Sequence, residues 1–302
     1  MKKASWLFVA ITLSLFTKVY AQNLFVANEG NNTVTEFNSS GVGTVFASSG
    51  LDYPTGLAFD SAGNLYVANG GNNTIEEFSP SGGNWNRVFA SSGLAYPTGL
   101  AFDSAGYLYV ANQANSTIEK FSPSGVGTVF ASSGLNDPCY LTFDSNGNLY
   151  AANWGNSTVE EFNSSGMEIA SFGPSLGINR PVSVAIDSSG NLYVANQGNQ
   201  AIEEISNGWS RVFATGLDFP GGPNGGDLAF DSNGNLYASN SGSGTIEEFN
   251  ANGVGTVFAS GLDTPAGLAF QPVPEPATWA LLALGMGALF GGCRLSSRLY
   301  KQ

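Results

Sequence analysis

Six asparagines and a recurring set of carboxylates are the residues of this chain whose types and spacing could do chemistry. Asn28, Asn69, Asn112, Asn153, Asn196 and Asn240 close six versions of one pentapeptide: LFVAN, LYVAN, LYVAN, LYAAN, LYVAN and LYASN. If they form a ring near one mouth of a central channel, their amides could hold a sugar or a cation. The alternative is local, since an Asn at a strand end caps its turn or bonds the neighbouring strand's backbone. Acid pairs recur at Glu76-Glu77, Glu160-Glu161, Glu203-Glu204 and Glu247-Glu248, with Glu119-Lys120 and Thr35-Glu36 as variants. Neighbours on a strand point to opposite faces, so these pairs do not make two-carboxylate sites and read as a solvated rim that resists aggregation. Asp60, Asp103, Asp144, Asp187 and Asp231 each open an Asp-Ser-x-Gly hairpin, and turn formation accounts for them.

The chain has no histidine, so the usual general base near neutral pH and the commonest transition-metal ligand are both missing. Of its two cysteines, Cys139 and Cys293, neither has metal-ligand spacing, and no histidine can activate Cys139 as a nucleophile. No catalytic residue, metal ligand or cofactor is assigned. Calcium is the one metal that this oxygen-rich, sulfur-poor donor set would suit.

These residues need a scaffold that repeats. The pentapeptide recurs at Leu24, Leu65, Leu108, Leu149, Leu192 and Leu236, at spacings of 41, 43, 41, 43 and 44. A period in the low forties with several short strands per unit is the signature of a propeller blade. Each unit offers four strand-like pieces: GLAFD, NLYVAN, TIEEF and GTVFAS. Ile75 and Phe78 with Val88 and Phe89 put apolar residues on both sides of the last two, as a blade sandwiched between neighbours requires. A second landmark, Pro-x-Gly-Leu-Ala-Phe, starts at Pro54, Pro97, Pro138, Pro181 and Pro265, with a diverged copy at Gly225–Phe230. The body begins within a unit at Asn23-Leu24 and ends with a spare first strand, Ala266–Phe270. Pairing that strand with Leu24–Ala27 closes a sixth blade, so the sequence predicts an all-β, six-bladed β-propeller over residues 22–272.

Both ends read as addresses. Residues 1–21 have a basic start (Lys2, Lys3), an apolar run from Trp6 to Phe16 and Val19-Tyr20-Ala21 before Gln22, the pattern of a cleavable signal peptide. Residues 273–302 carry Pro274-Glu275-Pro276, an apolar stretch from Ala277 to Cys293 that predicts a short transmembrane helix, and then Arg294, Arg298 and Lys301. Six of the ten basic residues lie in these ends. Between Gln22 and Gln271 only Arg87, Lys120, Arg180 and Arg211 oppose 22 carboxylates, all of the chain's 23 except Glu275. Such a body repels polyanions, and nucleic acid is not an expected partner.

The tail resembles the PEP-CTERM sorting signal of Gram-negative bacteria, carried by Pro274, Glu275, Pro276, the apolar stretch, Arg294 and Arg298. That resemblance implies an exosortase as processing partner, a place in the cell envelope, and company among extracellular polysaccharides and biofilm matrix. The body, through Pro-x-Gly-Leu-Ala-Phe-Asp, Gly-Asn-Leu-Tyr-Val-Ala-Asn and Thr-Ile-Glu-Glu-Phe, resembles the NHL repeat and more loosely the gluconolactonase-type propellers. It departs from the NHL pattern in carrying Asn where that repeat commonly has Asp. The NHL resemblance implies a platform for protein, peptide or nucleic-acid contacts, but the basic patch of its RNA-binding members has no counterpart here. The expected function is an exported, envelope-associated, non-catalytic binding or scaffold propeller linked to polysaccharide or another protein. The alternative is a calcium-dependent lactonase-like hydrolase on the same fold, with Asn153 and Asn196 among its metal-holding residues.

Overall fold

The computed structural model describes residues 22–80, 86–219 and 225–272. The segments expected to be a signal peptide and a transmembrane helix, and the sorting residues Pro274, Glu275, Pro276, Arg294 and Arg298, lie outside them. Among the described residues no helix is long and apolar enough to cross a membrane.

Six four-stranded antiparallel sheets form the six blades. Blade I runs outward from its inner strand Pro54–Phe59 through Leu65–Asn69 and Thr74–Phe78 to the outer strand Asn86–Ala90. Blades II to V follow in chain order, with inner strands Pro97–Phe102, Pro138–Phe143, Pro181–Ile186 and Leu228–Phe230. Blade VI combines both ends of the body: inner strand Pro265–Phe270 pairs antiparallel with Leu24–Asn28, with Leu24 opposite Phe270 and Val26 opposite Leu268. The six inner strands touch in a closed ring, VI against I included. The closure read from the sequence is therefore how the ring is shut.

The hairpins form for the reasons their residues supply. In each Asp-Ser-x-Gly turn the aspartate Oδ1 accepts two backbone N–H groups, as Asp60 does from Ala62 and Asn64 at 2.9 and 2.8 Å. The glycine takes a left-handed conformation, at φ +83° for Gly63, which a residue with a Cβ adopts at a cost.

Blades are joined by an aromatic ladder. The second-strand Tyr or Phe of one blade meets the outer-strand Phe of its own blade and the inner-strand Phe of the next edge-on. Tyr66 lies 5.0 Å from Phe89 and 4.9 Å from Phe102, and Phe25, Tyr109, Tyr193 and Tyr237 repeat the arrangement. Such pairs contribute roughly 0.5–1.5 kcal/mol each beyond the area they bury. The ladder is broken between blades III and IV, where Ile186 replaces the inner-strand Phe.

Two expectations are corrected. Val88 is 52% exposed and does not face a neighbouring blade, because a register shift between Ile75 and Glu76 turns the outer strand. The acid pairs are not a freely solvated rim either: Glu76, Glu77, Glu119, Glu160 and Glu203 are buried, and Glu161, Glu204, Glu247 and Glu248 are half-buried. The first acid of a pair tucks beneath the loop entering its blade, so that a Cβ on Gly93 would come within 2.9 Å of Glu119 Oε1. Burial raises the carboxyls of Glu76, Glu119 and Glu203 above their ordinary range. The second acid lies opposite the second-strand tyrosine and bonds it, as Glu77 does Tyr66. In blade II that place is taken by Lys120, which pairs with Asp103 at 3.6 Å.

Candidate functional site

The six asparagines share one setting, at the end of each second strand on the face that carries the loops joining successive blades. All six are buried. In blade I the Asp52 N–H donates to Asn69 Oδ1 at 3.1 Å, while Asn69 Nδ2 donates to Gly50 O at 2.9 Å and Thr74 Oγ1 at 3.1 Å. Asn112 and Asn153 repeat this set with Ala95, Gly93 and Thr117, and with Asn136, Gly134 and Thr158. Asn196 keeps the two loop bonds, to Asn179 N–H and Gly177 O, and Asn240 Oδ1 accepts from Asp218 N–H. The amides thus clamp the entering loops. Asn28 differs, because its Nδ2 reaches Thr33 and Thr35 while its Oδ1 is buried without a partner.

What the clamps hold in place is a ring of residues around the axis. Immediately before the inner-strand prolines stand Tyr53, Tyr96, Asp137, Arg180 and Thr264, every one left-handed at φ between +46° and +50°. Non-glycine residues pay roughly 1–2 kcal/mol for that conformation, and cross-blade bonds hold it. Tyr53 N–H donates to Asn32 Oδ1 of blade VI at 2.7 Å, and Tyr96 N–H to Asn73 Oδ1 of blade I at 2.6 Å. Ser116 and Ser157 accept from Asp137 and Arg180 in the same way. Each mouth carbonyl then accepts the N–H of the residue just after a clamp asparagine, such as Gly70 on Tyr53 O at 3.0 Å.

The backbone is the same in each blade, but the side chains are not. After the clamps come Glu29, Gly70, Gln113, Trp154, Gln197 and Ser241. Trp154 Nε1 donates to Gln197 Oε1 at 2.6 Å, and the Arg180 guanidinium lies 5.3 Å from the Trp154 ring. The mouth is therefore an asymmetric surface on a symmetric frame, with tyrosines on blades I and II and an Arg–Trp–Gln cluster on blades III and IV.

Below the mouth, the residue two places after each inner-strand proline, and its equivalent Asp227 just before Leu228–Phe230, decides how adjacent blades meet. Gly56, Gly99 and Gly267 allow backbones to touch: a Cβ on Gly56 would lie 2.0 Å from Thr98 O. Thr55 and Thr98 stitch these contacts by donating to Pro97 O at 2.9 Å and Cys139 O at 3.2 Å. In the other three blades the position holds Tyr140, Ser183 and Asp227, all buried. Ser183 donates to Asp227 Oδ1 at 2.7 Å, and the N–H groups of Leu228 and Leu268 donate to the two carboxylate oxygens at 2.9 and 2.8 Å. Burial pushes the Asp227 carboxyl up to about 7 against the pull of those donors. The Tyr140 hydroxyl is raised by burial first and then by the charges of Asp227 and Glu29. Burial also pushes the Cys139 thiol up, the opposite of what a nucleophilic thiolate needs.

Sequence reasoning passed over Tyr53, Tyr96, Gly70, Ser183 and Asp227. The signal was present in the differences between repeats. Gly-Gly-Asp for Pro-x-Gly and LYASN for LYVAN occur in one blade, and Asp227 N–H donates to Ser239 Oγ at 2.9 Å. Residues 220–224, which lead into that blade's inner strand, lie outside the described residues. Among those residues no group of three or more His, Cys, Asp or Glu side chains converges as a metal site would.

Comparisons with known proteins agree with this architecture. The chain matches the NHL repeat over residues 51–78 and the PEP-CTERM protein-sorting motif over residues 272–297. No curated protein matches. Among solved structures it is similar to a nidogen/laminin complex at 20% identity and TM-score 0.71, covering 83% of this chain and 98% of that one. It is also similar to a streptogramin B lyase at 15% identity and TM-score 0.62, covering 82% and 95%. A virginiamycin B lyase from Staphylococcus aureus aligns at 14% identity and TM-score 0.62, covering 82% and 87%. At these identities the likeness is one of fold. The class is thus an NHL-repeat-like, six-bladed β-propeller. This chain joins such a propeller to a C-terminal PEP-CTERM motif, which marks an exported, envelope-associated protein processed by an exosortase.

Proposed function

We propose that the propeller is a non-catalytic binding platform of the envelope, meeting extracellular polysaccharide, or a protein held in it, at the mouth ring. The observation that supports this reading is the ring itself: one rigid backbone frame, fixed by buried asparagines, carrying different side chains in each blade. Its polar groups are committed to holding one another, as Trp154, Gln197 and Arg180 show, and the thiol nearby is buried. A frame of this kind is preorganised for recognition, which lowers the ordering cost of binding.

The sorting motif gives the reading its setting, since the propeller would then stand among the material outside the cell. Thermal unfolding of the purified protein with and without polysaccharides tests it, because a ligand of the native state raises the midpoint. A saturable rise with a polysaccharide, and no turnover of lactones or similar esters, is the expected result. Lactone hydrolysis that needs calcium and is lost on changing mouth residues would replace it with the hydrolase reading.

A further inference from the structure

The two tyrosines of the mouth share its common backbone placement but differ from its other residues in side chain. Tyr53 and Tyr96 stand at equivalent positions of adjacent blades, and both line one shallow groove of about 560 Å³, a size in the range of small-ligand sites. Between them lies Gly70. Among the residues that follow the six clamps it alone has no side chain, the others being Glu29, Gln113, Trp154, Gln197 and Ser241. A Cβ on Gly70 would sit 3.3 Å from the Tyr96 ring, so glycine there leaves the floor open beside that tyrosine. Tyr53 is 53% exposed, yet its backbone is held left-handed by Asn32, an arrangement that presents a large aromatic to solvent at low conformational freedom.

Aromatic rings on a shallow, glycine-floored groove, edged by the amide of Asn73, suit a ligand with one apolar C–H face and a girdle of hydroxyls. A sugar ring has that construction. Charge narrows the class further. No basic side chain lines this groove, and the surrounding body sets only Arg87, Lys120, Arg180 and Arg211 against 22 carboxylates. That field repels polyanions. We propose that the Tyr53–Gly70–Tyr96 groove is a carbohydrate subsite selective for neutral glycans over acidic ones. This rests on the binding-platform reading and adds to it the ligand class and the blades that bind.

Native affinity electrophoresis of the full-length protein through gels containing dextran, hydroxyethylcellulose or alginate tests the inference. Wild-type protein is expected to be retarded by at least one of the two neutral glucans and not by alginate. Tyr53→Ala and Tyr96→Ala should each weaken that binding at least about fivefold, whereas Tyr53→Phe and Tyr96→Phe, which keep the ring, should stay within about twofold. Gly70→Gln, which installs the residue type found in blade II, should block the groove, and Val257→Ala, at an exposed residue of the outer strand of blade V away from the mouth, should leave glucan binding unchanged. Unaltered glucan binding in both alanine variants would overturn the subsite while leaving the platform reading intact. Preferential retardation by alginate would overturn the neutral class, and no retardation by any of the three would count against the subsite and its parent reading together.

Discussion

At the scale of single residues, the clamp asparagines and Asp227 make separable predictions. Asn69→Ala deletes an acceptor and a donor that together serve Asp52, Gly50 and Thr74, and it takes from the part-buried loop groups the partners that hold them. The expected loss is about 2–4 kcal/mol of stability by chemical denaturation. Asn28→Ala removes an amide whose Oδ1 is already unpartnered, so its loss should be about half as large. Asp227 governs a pH dependence whose sign is definite. Its native carboxyl titrates at about 7, above the unfolded value near 3.9, so between those values the folded state holds a proton that the unfolded chain has released. The stability this proton contributes is complete below about pH 4 and is lost as pH rises through about 7, with a slope of up to about 1.4 kcal/mol per pH unit. Denaturation midpoints of wild type should therefore fall from pH 5 to pH 8, and Asp227→Asn should flatten the fall. The raised carboxyls of Glu76, Glu119 and Glu203 act with the same sign and leave a residual slope in the variant.

At the scale of elements, two glycines of adjacent blades should respond very differently. Gly56→Ala drives a Cβ to within 2.0 Å of Thr98 O between blades I and II, and no side-chain motion can relieve a backbone contact. Gly106→Ala adds a methyl in a hairpin where nothing lies within 4 Å, at φ +82°. We expect about 1–2 kcal/mol for Gly106→Ala and at least about 3 kcal/mol, or failure to fold, for Gly56→Ala. The strands themselves were legible in the sequence, because short segments such as LYVAN and TIEEF recur between Asp-Ser-x-Gly turns whose chemistry is local. What sequence did not reveal was burial around them. The alternation of Glu76 and Glu77 is visible in a string of letters, but that one tucks under a loop and the other bonds Tyr66 depends on the adjoining loops and strands. The left-handed tyrosines were equally hidden, since neither Tyr53 nor Tyr96 resembles a residue suited to positive φ until the cross-blade bonds from Asn32 and Asn73 are in view.

At the scale of the whole molecule, the ring is closed by the pairing of Pro265–Phe270 with Leu24–Asn28, and Asp227 ties the same closing strand from the other side through Leu268 N–H. Replacing Leu268 by Pro would remove the donor to Asp227 and break the closing strand, and the expected outcome is an opened or intermolecularly closed ring, seen as oligomers by size-exclusion chromatography. The number of blades, the closure and the sorting tail could all be read before any coordinates, because repetition multiplies a weak local signal sixfold. Of the candidate site only the recurring asparagines were read, because its distinguishing side chains stand at positions where the repeats disagree and repetition gives them no support.

The central claim, that the mouth binds extracellular material without transforming it, is tested most directly by equilibrium binding of a polysaccharide to the purified protein, followed by chromatographic recovery of the glycan. The account predicts a saturable isotherm and a glycan recovered with its chain length and end groups unchanged. Shortened chains or new ends, accumulating in proportion to protein and time, would contradict it.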